Sequence, residues 1–200
     1  HVRGMTVHPS SGVAAGKRGK YAGFMGSLGK GTGLDHLKAL GVNAVELLPV
    51  SEFSESTDPY NWGYATVYFF APESSYALAP EKGSAYYELK QLVDDLHGQG
   101  FAVILDMVYN HIGGPNIFAL IDKKAYFRLN PDLSFSNHSA CGNDVRTEAP
   151  MMRKLILDNI AYFMEEFHVD GFRLDLAELI DMETMLAIRD VARSINPKAI

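Results

Sequence analysis

Hydrophobic positions along the chain switch repeatedly between the two-residue period of a strand and the 3.6-residue period of a helix. Residues 2–7 (VRGMTV) read as a first strand. In TGLDHLKALG, Thr32 is placed to cap a helix, Asp35 follows three on, and Leu34, Leu37 and Leu40 share one face before Gly41. A second strand, 43–50, ends at Pro49. Leu89, Leu92, Val93 and Leu96 give 84–97 a helical stripe closed by Gly98 and Gly100. The third strand, 101–111 (FAVILDMVYNH), is a continuous apolar run, as a parallel strand covered on both faces requires. Pro150 opens a third helix at a favoured first-turn position, with Met152, Leu155, Ile156, Ile160, Phe163 and Phe167 on one side. A fourth strand at 171–176 precedes a helix at 181–195 that Asn196-Pro197 ends.

Strand–helix alternation of this kind implies a parallel sheet with right-handed crossovers. The expected fold is α/β: about four βα units, the N-terminal half of a (β/α)₈ barrel, with long loops after strands two and three. Residues 1–200 are expected to form one partial barrel domain, with 112–147 as a long inserted loop. A loop of that length usually carries function. No Gly-rich dinucleotide fingerprint follows the first strand, and GSLGKGTG (26–33) lacks the phosphate-loop spacing and reads as a flexible loop. An unrelated nucleotide-binding α/β domain therefore lacks its main signal.

Composition narrows the partners. With 18 basic against 24 acidic residues and a net charge of −6, dispersed without runs, the chain suits neither nucleic acid nor a membrane surface. A neutral substrate fits better. No apolar stretch reaches membrane-span length, and no signal segment opens the chain. The first residues already look like strand, so the sequence reads as cut from a longer polypeptide whose remainder is expected as a partner. The compartment stays open. Cys141, the single cysteine, implies no disulfide and reads as a small loop residue.

Candidate chemistry lies at the strand ends. In DGFRLDLAEL, Arg173 and Asp175 share one face and Phe172 and Leu174 the other. In a barrel the first pair points inward at the C-terminal end, where that fold builds its active sites. Arg173 beside Asp175 favours the ionised carboxylate, a candidate nucleophile; a structural ion pair is the plainer alternative. The third strand brings Asp106, Asn110 and His111 to the same end. Asp106 and Asn110 share parity, whereas His111 joins them only if the backbone bends near Asn110. In YNWGY (60–64), aromatic residues flanking a glycine suit stacking on a sugar ring, or on one another to pack a long loop.

DMVYNH and GFRLDLAEL, about sixty residues apart, resemble the first two signature regions of the α-amylase superfamily, glycoside hydrolase family 13. HVRGMT, YNWGY with FFAPESSYA, and CGNDVRTEAPMMRKLI resemble its debranching branch, the type I pullulanases and isoamylase-like enzymes. The resemblance implies a retaining glycoside hydrolase acting on α-glucans, with Asp175 as nucleophile and Arg173 holding it. It makes Asp106 a supporting carboxylate, His111 a hydrogen-bonding partner of the sugar, and Tyr64 a stacking ring, with Trp62 beside it. Asn110 matches a position that binds calcium in many α-amylases; debranching relatives often lack that ion, so no metal or other cofactor is expected. The family's acid–base glutamate and a further Asp–His pair fall beyond Ile200, and Glu178 is a weak internal substitute. Alternatives are an α-1,4-acting amylase or branching enzyme of the same family, and a non-catalytic α-glucan-binding subunit that keeps the fold.

Overall fold

A computed structural model of the chain describes residues 1–26, 32–54 and 61–200. Its centre is a parallel sheet of three strands in the order β1 (Ala44–Leu47), β4 (Ala102–Met107), β5 (Gly171–Leu174). The central strand is the one with the unbroken apolar run. Val103 and Leu105 are fully buried, and so are Leu89, Leu96, Ile156, Ile160 and Phe163 on the helices that cover it, α4 (Ser84–Gly98) and α6 (Pro150–Phe167). At the far end of β5, Ile200 exchanges backbone hydrogen bonds with Asp170 (3.0 Å) and Phe172 (3.1 Å), as a parallel neighbour does.

The expected first strand is instead a helix, α1 (Val2–Thr6). The reason is visible in its spacing: Val2 and Thr6, four apart, are the buried pair, while Val7 is only half-buried. The His1 ring accepts the Gly4 amide at 2.8 Å and caps the turn. The α/β class with parallel strands stands, but with three strands rather than four. A one-turn helix, α2 (Tyr21–Phe24), follows, then α3 (Gly33–Leu40). Thr32 occupies the N-cap position of α3, but its hydroxyl makes no capping bond and donates instead to the Met5 carbonyl; of the expected stripe Leu37 is buried whereas Leu40 is exposed. The 26–33 loop reading falls largely on 27–31, outside the described residues.

Neither long connection is plain loop. Within 51–83, β2 (Ser51–Phe53) and β3 (Thr66–Pro72) pair antiparallel. Asn159 of α6 fastens this hairpin: its Nδ2 donates to the Phe69 carbonyl (3.0 Å), and its Oδ1 accepts the Tyr109 hydroxyl (2.7 Å). All three residues are buried. Within 112–147 lies α5 (Ile117–Tyr126), broken at Asp122, whose carboxylate accepts the Lys124 and Ala125 amides. The last helix, α7 (Met182–Ile195), is capped by Asp181 on Thr184 (3.0 Å) and covers Phe172 and Leu174.

Leu105 is fully buried on the central strand, so truncating it leaves a cavity lined by side chains that cannot collapse together. Leu105→Ala is expected to cost about 2–5 kcal/mol of unfolding free energy, read by denaturant titration.

Candidate active site

Register places Asp106 beside Arg173, so both project from the sheet face opposite to the one α7 covers. Arg173 Nη1 donates to Asp106 Oδ1 and to Asp175 Oδ1, each at 2.8 Å. One nitrogen thereby joins the centre of the sheet to the residue just past its edge. The other Asp106 oxygen accepts the Tyr64 hydroxyl, which reaches across from the loop before β3. Burial raises the Asp106 pKa above its ordinary value, against the pull of the Tyr64 and Arg173 hydrogen bonds. Desolvation and the facing carboxylate push the Tyr64 hydroxyl well up, so it stays a donor.

Asp175 is held by three residues, Met107, Asn110 and Arg173. Its amide donates to the Met107 carbonyl (3.0 Å), and Asn110 Nδ2 donates to the Asp175 carbonyl (2.9 Å) and to Asp175 Oδ2 (3.0 Å). With Arg173 on Oδ1, both carboxylate oxygens are oriented, and the side chain keeps 14% exposure toward the open side of the sheet. The next residue, Leu176, has φ 42° and ψ 50°, a left-handed conformation that turns the chain away immediately behind the carboxylate.

The expected bend occurs at Asn110, and it brings His111 in: His111 Nδ1 meets Asn110 Oδ1. Burial lowers the His111 pKa, favouring the neutral ring, with a hydrogen bond to the Tyr64 backbone and the Asp175 charge opposing. Asn110 thus spends its whole carboxamide on Asp175 and His111. Among the described residues no group of three or more His, Cys, Asp or Glu side chains is placed to hold a metal ion. Glu178 stands exposed in the single turn Ala177–Leu179 and caps nothing.

Beside this cluster opens a cleft of about 600 Å³, lined by Trp62, Tyr64, His111, Asn116, Cys141 and Asn143 among others. Trp62 offers a 59% exposed ring at its wall. Tyr60, the other aromatic of that motif, lies outside the described residues.

Seven sequence candidates, Asp106, Asn110, His111, Arg173, Asp175, Tyr64 and Trp62, therefore gather at one mouth. No protein-family model matches the chain. Over 98% of its length it is 38% identical to a pullulanase of Bacillus subtilis, and over 90% it is 41% identical to the chloroplastic isoamylase 3 of Oryza sativa. Over 96% it is 41% identical to a glycogen operon protein GlgX homolog of Mycobacterium bovis. Its homologues are the debranching enzymes of glycoside hydrolase family 13. The fold agrees: a Paenibacillus barengoltzii pullulanase, solved in complex with maltohexaose and α-cyclodextrin, superposes with a TM-score of 0.93 at 39% identity. A Bacillus subtilis pullulanase, solved with maltose, superposes at 0.92 and 38%. Both matches cover 100% of this chain but only 33% and 30% of the solved ones, and the chain spans 29%, 25% and 29% of the three curated debranching relatives.

Sequence reasoning missed the residues that build the far wall. Asn143 exchanges hydrogen bonds with the Ile112 backbone (3.0 and 2.9 Å), fixing the chain after His111. Asp144, fully buried, accepts the Ser136 hydroxyl, the His138 amide and ring, and the Ser139 amide. Desolvation pushes its pKa up, yet those hydrogen bonds win and hold it well below the ordinary carboxylate range. The one signal available was a clustering of Ser, His, Asn and Asp around Gly142, which no periodicity singles out.

Two carboxylates give opposite pH signatures. Asp144, lowered on folding, stabilises the fold above its ordinary value of 3.8, and that contribution is lost as pH falls toward its folded value. Asp144→Ala is expected to cost about 3 kcal/mol near neutrality and to flatten the acid limb of a pH–stability curve. Asp106, raised on folding, favours the protonated folded form, so its contribution falls as pH climbs from 3.8 through the raised pKa. Removing the neighbouring cation in Arg173→Gln is expected to raise the Asp106 pKa further, read by carboxyl-carbon NMR titration.

Proposed function

We propose that the protein is a retaining glycoside hydrolase that cuts α-1,6 branch linkages in α-glucans such as starch, glycogen or pullulan. The observation that supports this best is Asp175: both its oxygens are oriented, by Arg173 and Asn110, beside an open cleft in a chain related to debranching enzymes. An aligned carboxylate with a cation on one oxygen is a competent nucleophile toward an anomeric carbon.

In this reading an Asp175 oxygen bonds to C1 of the glucosyl unit as the C1–O bond to the leaving chain breaks. The departing oxygen takes a proton from a carboxylic acid, and water then hydrolyses the glycosyl-enzyme with retention. His111, neutral through burial, hydrogen-bonds the sugar in the reacting subsite. The Tyr64 ring stacks on it, and Trp62 lends a face to the next unit. Asp106 holds the Tyr64 hydroxyl and Arg173 in place. The chemistry is carried by carboxyl groups and requires no cofactor. In this reading the acid–base carboxyl is supplied from outside residues 1–200; Glu178, the internal substitute considered above, faces solvent. The partner is an α-glucan chain: the pullulanases solved with maltose or maltohexaose bind such oligosaccharides, and the cleft here offers aromatic and amide groups suited to the same chemistry.

In the full-length enzyme, Asp175→Asn is expected to lower turnover of pullulan by about 10⁴-fold or more, measured by release of reducing ends. The wild type should yield maltotriose from pullulan, leave linear amylose largely intact, and give products whose first-formed anomer is α by NMR. Rapid amylose cleavage would move the assignment to an α-1,4-acting enzyme. Residues 1–200 alone should fall at least about 10²-fold short for want of the general acid; robust turnover by them would mean that the acid lies within this chain.

A further inference from the structure

Asn116 sits where helices most favour a capping side chain, at the N-cap of α5, yet its side chain makes no capping bond. Its Oδ1 is buried and has no hydrogen-bond partner among the described residues. The same residue lines the cleft together with Trp62, Tyr64 and His111. A buried acceptor left unpaired is a high-energy arrangement, and a half-turn about the side-chain bonds toward the cleft relieves it once a donor is present. Sugar hydroxyls are such donors. A glucosyl ring stacked on Trp62 or Tyr64 keeps its hydroxyls at the rim, free to meet the polar groups of the surrounding wall, and Asn116 is one of these.

We propose that Asn116 is a specificity-determining residue that swings its carboxamide into the cleft and accepts a hydrogen bond from a hydroxyl of a glucosyl unit bound next to the reacting one. This rests on the glycosidase reading above. A polar group poised in this way discriminates strongly, because a ligand lacking the matching hydroxyl leaves it unpaired.

The test uses the full-length enzyme carrying Asp175→Asn, titrated with maltotriose by calorimetry. Adding Asn116→Ala is expected to weaken binding about 5- to 10-fold. Asn116→Asp, which keeps the acceptor, should stay within about twofold, and the melting temperature should hold or rise in the alanine variant because the orphaned acceptor is gone. In enzyme with Asp175 intact, Asn116→Ala should raise KM with kcat nearly unchanged. Unchanged maltotriose affinity in the alanine variant, or a lower melting temperature with unchanged KM, overturns the proposal and leaves Asn116 a structural residue. If the parent variant binds no maltotriose at all, the glycosidase reading falls, and this proposal with it.

Discussion

A single guanidinium nitrogen decides the geometry of this protein's working face. Arg173 Nη1 is shared between a carboxylate from the middle strand and a carboxylate beyond the end of the neighbouring strand. Neither anion is comfortable without it: Asp106 is buried at 2% exposure, and Asp175 projects from a turn. Breaking a buried pair by removing one partner leaves an uncompensated charge, so the β4–β5 register and the position of Asp175 are coupled through one donor. A register slip of one residue would send Arg173 to the helix-covered face and undo both contacts at once.

The remaining site residues act as braces on that pair. Tyr64 comes from the connection after β1, Asn110 and His111 from the bend after β4, and Asn143 from the long segment before α6. Each brace ends on backbone or on a carboxylate that the Arg173 bridge has already fixed. The wall around Asp144 adds rigidity through an anion satisfied by hydroxyl, amide and imidazole donors. Positioning of this kind, distributed over several loops set on a rigid sheet, is what a barrel mouth supplies.

The parts of this arrangement that were legible beforehand are those governed by a period. Parity alone put Arg173 and Asp175 on one face and demanded the bend that admits His111. The central run at 102–107 stood out as unbroken apolar sequence, and 44–47 and 171–174 by apolar residues on the face the helices cover. Residues 2–7 misled because Met5 and Val7 share strand parity while Val2 and Thr6 stand at helical spacing, and six residues cannot arbitrate. The hairpin strand TVYFFAP is rich in β-branched and aromatic residues yet lies inside the connection read as one long loop after strand two. The α5 segment hid because its apolar side chains face both ways, with Leu120 and Ile121 in solvent, and because Asp122 breaks it. Asn143 and Asp144 speak to backbone amides, and that language has no sequence period.

Leu176 carries a lesson for anyone who would engineer this protein. A branched aliphatic residue in a left-handed conformation, at φ 42°, holds roughly 1–2 kcal/mol of backbone strain directly behind Asp175. Glycine or asparagine would release that tension, so a screen that rewards heat resistance alone will be drawn to this position. The same relaxation loosens the bend that aims the carboxylate. Under the role proposed for Asp175, durability and rate are therefore set against each other at one peptide unit, and selection for the first should be checked for erosion of the second.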